Sequence, residues 1–166
     1  MEDFSIPVGI VIERREIDNP WQDFSYKPIA IIPHAQKPEG WQKMQTGQGW
    51  VHFHACTLTL ELHKGETEGY RYNLSQPVSS VYIVLRPGEE RDDNDVEPFH
   101  VTVCPYEAMK YAESGDEIVE AVLMPEDILA WVKTFVDDFH VDEPFKKRKN
   151  KKHMDRDAQG PRGGVR

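Results

Sequence analysis

The residues most able to do chemistry sit close together near the middle of the chain, as His52-Phe-His54-Ala-Cys56. On an extended strand, positions i, i+2 and i+4 project to one face, so two imidazoles and a thiol would line up as metal ligands. Neighbours on one face lie ~7 Å apart, while zinc bonds run ~2.0–2.3 Å, so one ion seldom takes three in a row. A fourth ligand would have to come from His100 or Cys104. The plainer reading is two strand histidines beside a thiol that behaves as a small apolar group.

Cys104 precedes Pro105 and a helical stretch. A thiol at a helix N-terminus can have a lowered pKa, which would suit a nucleophile. The alternative is a buried structural cysteine. Glu61, His63, Glu66, Glu68, Arg71 and Asn73 crowd a second region. Paired carboxylates with an arginine can serve acid/base chemistry. They can equally form a solvated face with cross-strand ion pairs. The acids between positions 89 and 97 lack the Asp-x-Asp-x-Asp-Gly order of a calcium loop. Thr46-Gly-Gln-Gly49 is a turn, not a phosphate-gripping loop. No complete catalytic motif is present.

The 166 residues suit one domain plus a tail. The net charge of −9 hides a division. Residues 1–144 hold 11 Lys+Arg against 27 Asp+Glu, and residues 145–166 hold 9 against 2. An acidic body repels polyanions and argues against a nucleic-acid face. The basic run Lys146, Lys147, Arg148, Lys149, Lys151 and Lys152 has too little apolar surface to order itself, and fits docking on an acidic protein surface. Two cysteines are too few for a disulfide framework. The N-terminus has neither the basic nor the apolar part of a signal peptide, and no apolar run is long enough to span a bilayer, so a cytoplasmic location is expected.

Strands are expected at 8–15, 26–32 and 50–63, with a short segment at 41–45. The second half of 50–63 alternates Leu with Thr and Glu; its His half is apolar on both sides, so it is either covered on both faces or bent. Residues 68–74 alternate Tyr70, Tyr72 and Leu74 with small or polar residues and read as a strand returning from a turn at 64–67. The apolar run at 80–86 should be a central strand, with others at 99–103 and 117–123. Residues 105–114 form a short helix that starts at Pro105 and stops at Gly115. The strip Ile128, Leu129, Val132, Phe135, Val136 and Phe139 marks a C-terminal helix. These elements predict a mainly β, α+β fold: a curled antiparallel sheet or small barrel of about seven or eight strands, with the C-terminal helix packed on it.

Several blocks carry a family resemblance. They are Pro7-Val-Gly-Ile-Val-Ile-Glu-Arg-Arg15 with Asn19-Pro-Trp21, His54-Ala-Cys-Thr-Leu-Thr-Leu-Glu-Leu-His63, Thr67-Glu-Gly-Tyr-Arg-Tyr-Asn-Leu74 and Ser80-Val-Tyr-Ile-Val-Leu-Arg86. Pro105-Tyr-Glu-Ala108, Met124-Pro125 with Ala130-Trp-Val132, and Glu143-Pro-Phe145 before the basic run complete them. Together they resemble an uncharacterised bacterial domain family encoded beside molybdenum-dependent formate dehydrogenase genes. Some members are labelled molybdopterin-guanine dinucleotide biosynthesis proteins, but the Gly-rich loop of such nucleotidyltransferases is missing after the first strand here. The resemblance implies a non-catalytic accessory or assembly protein that binds a formate dehydrogenase subunit or another accessory protein, with no cofactor of its own. The basic tail would be its partner-binding arm. His54, Glu61, Glu68, Arg71, Asn73 and Glu107 fall in these blocks and are the expected binding residues. An enzyme of molybdopterin or nucleotide chemistry, using the Glu61–Glu68 carboxylates, is the alternative. A metal or redox sensor built on His52, His54, Cys56 and Cys104 is a third.

Overall fold

The structure is a computed structural model that describes residues 4–87 and 96–142. The acidic loop after Pro87 and the basic tail lie outside the described residues. Two antiparallel sheets form the body. In the first, β1 (Ser5–Glu16) lies between β2 (Phe24–Pro33) and β4 (Trp50–Glu61), with β3 (Gln42–Gly47) outside β4. In the second, β5 (Ser80–Pro87) is central between β6 (Val96–Thr102) and β7 (Ile118–Leu123). β4 lies against β6 and β2 against β7, so the sheets face each other without closing into a barrel.

Alternation along the two central strands builds the core. Ile10 and Ile12 of β1 and Ile83 and Leu85 of β5 belong to one buried cluster, all at or near zero exposure. Helix α3 (Glu126–Phe139) seals the core with Ile128, Val132, Phe135 and Val136. Their spacing of four, three and one places them on one helical face. Phe4 meets Phe135 and Phe139 edge-on, with ring centroids 5.0 and 5.2 Å apart.

The bend anticipated in the His half of β4 is a β-bulge. Ile10 pairs with Cys56 but Val11 pairs with His54, which leaves Ala55 as an extra residue. One inserted residue reverses the facing of everything beyond it. Leu60 and Cys56 therefore turn toward the core on even positions, whereas Phe53 and Val51 do so on odd ones. Neighbouring strands bulge too: Ile29 in β2 and Met44 in β3 are skipped by their partners. Pro28 and Pro98 sit beside bulges on the edge strands β2 and β6, where a missing N–H is tolerated.

One expected strand is a helix. Residues Thr67–Ser75 form α1, after a 3-10 turn at Lys64–Glu66. The period-two pattern of Tyr70, Tyr72 and Leu74 misleads, because Tyr72 points to solvent. The buried set is Thr67, Gly69, Tyr70 and Asn73, in which 67, 70 and 73 repeat every three residues. Two of those three are polar, so a hydrophobicity pattern does not register the helical face. Helix α2 (Pro105–Ser114) begins and ends as its sequence signals, with Pro105 in the first turn and Gly115 closing it in the left-handed conformation at φ 82°. Among the described residues no helix is long and apolar enough to cross a membrane.

Candidate functional site

The Ala55 bulge separates the three potential metal ligands. His52 and His54 project from the outer face of the first sheet, and Cys56 from the core side. Both histidines are engaged. His52 Nε2 lies 3.0 Å from Glu13 Oε2, and its ring stacks on Trp50 with centroids 4.3 Å apart. Thr57 donates its only hydroxyl proton to the Gln36 carbonyl at 2.9 Å, so His54 Nε2, 3.0 Å from Thr57 Oγ1, must carry a proton and donate it. That nitrogen has no lone pair for a metal. Gly9 makes room for the ring: a Cβ there would stand 2.6 Å from His54 Nε2. Burial, with Glu97 adding to it, pushes the Cys56 thiol up to about 11. Among the described residues no three His, Cys, Asp or Glu side chains converge as a metal site.

Cys104 does not have the environment of a nucleophile. Its burial raises the thiol pKa, and the amides of Glu107 and Tyr106 pull it down by less; nearby Glu66 and Glu107 add to the rise. The helix N-terminus is there, but the desolvation cost is larger. Both cysteines are free.

The expected cluster around residues 61–73 is divided by the helix that replaces the hairpin. Glu61 is exposed and lies 3.3 Å from His63. Asn73 is 1% exposed and fully occupied: it donates to the Ser80 and Val103 carbonyls at 2.8 and 2.9 Å and accepts from the Ser80 amide at 3.0 Å. It therefore bolts α1 to β5 and to the end of β6. Arg71 tethers the end of α3. It donates to Asp142 Oδ1 at 2.7 Å, and His140 Nε2 lies 2.9 Å from that same oxygen. His140 Nδ1 also meets Thr67 Oγ1 at 2.9 Å. The two partners hold the Asp142 carboxyl below its usual range.

Glu68 and Glu107, far apart in sequence, do come together. They line a cleft of ≈ 650 Å³ between the first turn of α1 and the exposed side of α2. Cys104 and Gly69 form its floor, and the absence of a side chain at Gly69 makes that floor possible. A Cβ there would stand 2.6 Å from Cys104 Sγ. Glu66 and Glu117 add two carboxylates, and among the described residues Lys110 is the single cation of the lining. Glu107 is positioned by His100, whose Nε2 lies 2.9 Å from Oε2. Glu66 accepts from the Tyr70 hydroxyl, and Glu117 from Ser114. Tyr111 closes one wall, its ring 5.3 Å from that of His100.

The rim is aromatic. Tyr72 and Tyr106 have ring centroids 6.1 Å apart and are 51% and 45% exposed, and Met109, one turn beyond Tyr106, is 54% exposed. The cleft was only half legible in the sequence. Glu107, Lys110, Tyr111 and Ser114 share one face of a helix that the sequence does announce, but reading α1 as a strand hid what that face meets. The profile of the family described as Protein of unknown function (DUF3305) matches residues 7–149 of the chain. No curated protein and no solved structure matches it.

Proposed function

We propose that this chain, which belongs to the family described as Protein of unknown function (DUF3305), is a non-catalytic accessory protein that docks a subunit of a molybdenum-dependent formate dehydrogenase. The observation that carries a binding role is the exposed Tyr72–Tyr106–Met109 strip beside a carboxylate-lined cleft. Aromatic side chains supply rigid contact area at low entropic cost and methionine adapts its shape to a partner, and monomer surfaces seldom leave such groups adjacent without use. The helices that present them are anchored, α1 by Asn73 and α2 by its packing on β5 and β7. The enzyme partner follows from the resemblance of the sequence blocks. Nucleotide chemistry fits the cleft less well, because four carboxylates around one lysine repel phosphate.

The experiment is co-purification from a producing cell, with wild-type protein compared against Tyr72→Ala/Tyr106→Ala. Loss of the enzyme subunit from the eluate of the double variant, with its melting temperature unchanged, is the expected result. Unaltered formate dehydrogenase activity in a strain lacking this protein refutes the accessory role.

A further inference from the structure

We propose that the acidic cleft between α1 and α2 receives this chain's own basic tail in the free protein. Among the described residues the cleft carries Glu66, Glu68, Glu107 and Glu117 against Lys110 alone. The tail carries Lys146, Lys147, Arg148, Lys149, Lys151 and Lys152 with no acid among positions 146–152. The two are opposite in sign, and the described part of the chain ends on the helix that carries Glu68. The last described residues of the chain, His140 and Asp142, are held on α1 through Thr67 and Arg71. Glu68 precedes Arg71 by three residues, so their side chains are neighbours on one helix face. The basic run therefore starts four residues from an anchor at the edge of the cleft. Four extended residues span about 13–14 Å, so Lys146 is within reach and the following cations extend along the groove.

The lining suits this occupant in a second way. Tyr106 and Tyr111 line the cleft, and aromatic rings attract ammonium and guanidinium groups; the carboxylates come from four places, the turn before α1, α1 itself, α2 and the segment after α2, and are not consecutive in the chain. A polycation with charges on successive residues matches such a groove better than a compact ion does. Tethering adds the rest. A short linker gives an effective concentration of ~1 mM. A tail that binds its cleft with a Kd of ~100 µM in trans would then occupy it about nine-tenths of the time in cis, and would raise the apparent Kd of any competitor about tenfold. The tail and a basic segment of a partner would compete for one groove.

A fluorescent peptide of residues 144–153 tests it by anisotropy against three full-length proteins in low salt. The first is wild type. The second has its six basic residues at 146–152 changed to Gln. The third adds Glu68→Lys and Glu117→Gln to the second. Glu68 is solvent-exposed, so its replacement leaves folding intact. The expected result is binding to the tail-neutral protein, about tenfold weaker binding to wild type, and none to the third. Binding should weaken sharply in 0.5 M salt, where screening shortens to a few ångströms. Equal affinity for wild type and the tail-neutral protein means the cleft stands empty and overturns the proposal. So does equal affinity for the second and third proteins, which places the peptide elsewhere. A wild-type dimer that Glu68→Lys dissociates assigns the tail to a second copy and overturns the intramolecular form.

Discussion

Gly69→Ala offers the sharpest test of how the cleft floor is built. A Cβ at this position lies 2.6 Å from Cys104 Sγ and 3.3 Å from Tyr106 Cδ2. Tyr106 is exposed and can swing aside; Cys104 is buried in the core and cannot. The helix cannot retreat freely either, because Asn73 fixes it to β5 and Arg71 fixes it to the end of α3. Overpacking of this kind costs about 1–3 kcal/mol. Against it, Ala in a helix is worth about 1 kcal/mol over Gly. The net expectation for Gly69→Ala alone is destabilisation by about 1 kcal/mol. Cys104→Ala removes the obstructing sulfur and a buried apolar contact, for a loss of about 1–2 kcal/mol. Once the sulfur is gone, Gly69→Ala keeps its helix-propensity gain and loses its clash, so its effect changes sign. The double variant is expected to be more stable than Cys104→Ala by up to about 1 kcal/mol, a coupling of about 2 kcal/mol between neighbours. Urea denaturation of the four proteins measures this, provided the m-values agree. If Gly69→Ala destabilises equally with and without the sulfur, Cys104 is not what demands a glycine here and the account of the cleft floor fails.

Asn73→Ala strands the Ser80 and Val103 carbonyls and the Ser80 amide in the interior; at ~1–3 kcal/mol per buried orphan we expect a loss of about 3 kcal/mol and a Tm lower by about 10 °C, and a change under 1 kcal/mol in thermal melts would show that the network is not structural. The Cys56 thiol, at about 11 in the fold, should react with iodoacetamide at pH 8 at least tenfold more slowly than the same thiol in urea; equal rates would refute its desolvation. Because the unfolded thiol, near 9.0, ionises first as pH rises, the contribution of this group to stability is whole below pH 9 and lost between pH 9 and about 11, so Cys56→Ala should flatten the alkaline limb of a stability–pH curve. Glu13 runs the other way: Arg15 and His52 lower its pKa below 4.5, so its contribution is present above that pH and lost on acidification, and Glu13→Gln should remove part of the acid-side slope. An unchanged acid limb would mean that the pair contributes nothing.

What the sequence reveals and conceals here follows one rule. Elements whose buried face is apolar are legible: β1, β5 and α3 announce themselves because Val, Ile, Leu and Phe recur at the period of the structure. Elements whose buried face is partly polar are not. α1 hides behind Thr67 and Asn73, which are buried because His140 and the Ser80 and Val103 carbonyls satisfy them, and those partners lie up to 73 residues away. The bulge at Ala55 is half legible: the His half of β4, apolar on both sides, reads as bent or doubly covered, but the inserted residue shows only when the partner strand is laid beside it. The consequences for function are concentrated at these two points. The bulge dissolves the His52–His54–Cys56 metal reading by turning one ligand to the other face. The helix buries Asn73 in hydrogen bonds and pairs Arg71 with Asp142, while it carries Glu68 to Glu107 across the cleft. His54 is likewise spent on Thr57, on the face of the molecule that carries no part of the cleft lining. Polar residues in a distinctive sequence block thus separate into those whose hydrogen-bonding capacity is exhausted inside the fold and those still turned toward solvent. Among the expected binding residues placed in this cleft, Glu107 is shared with His100, and Glu68 sits exposed one helical turn before Arg71.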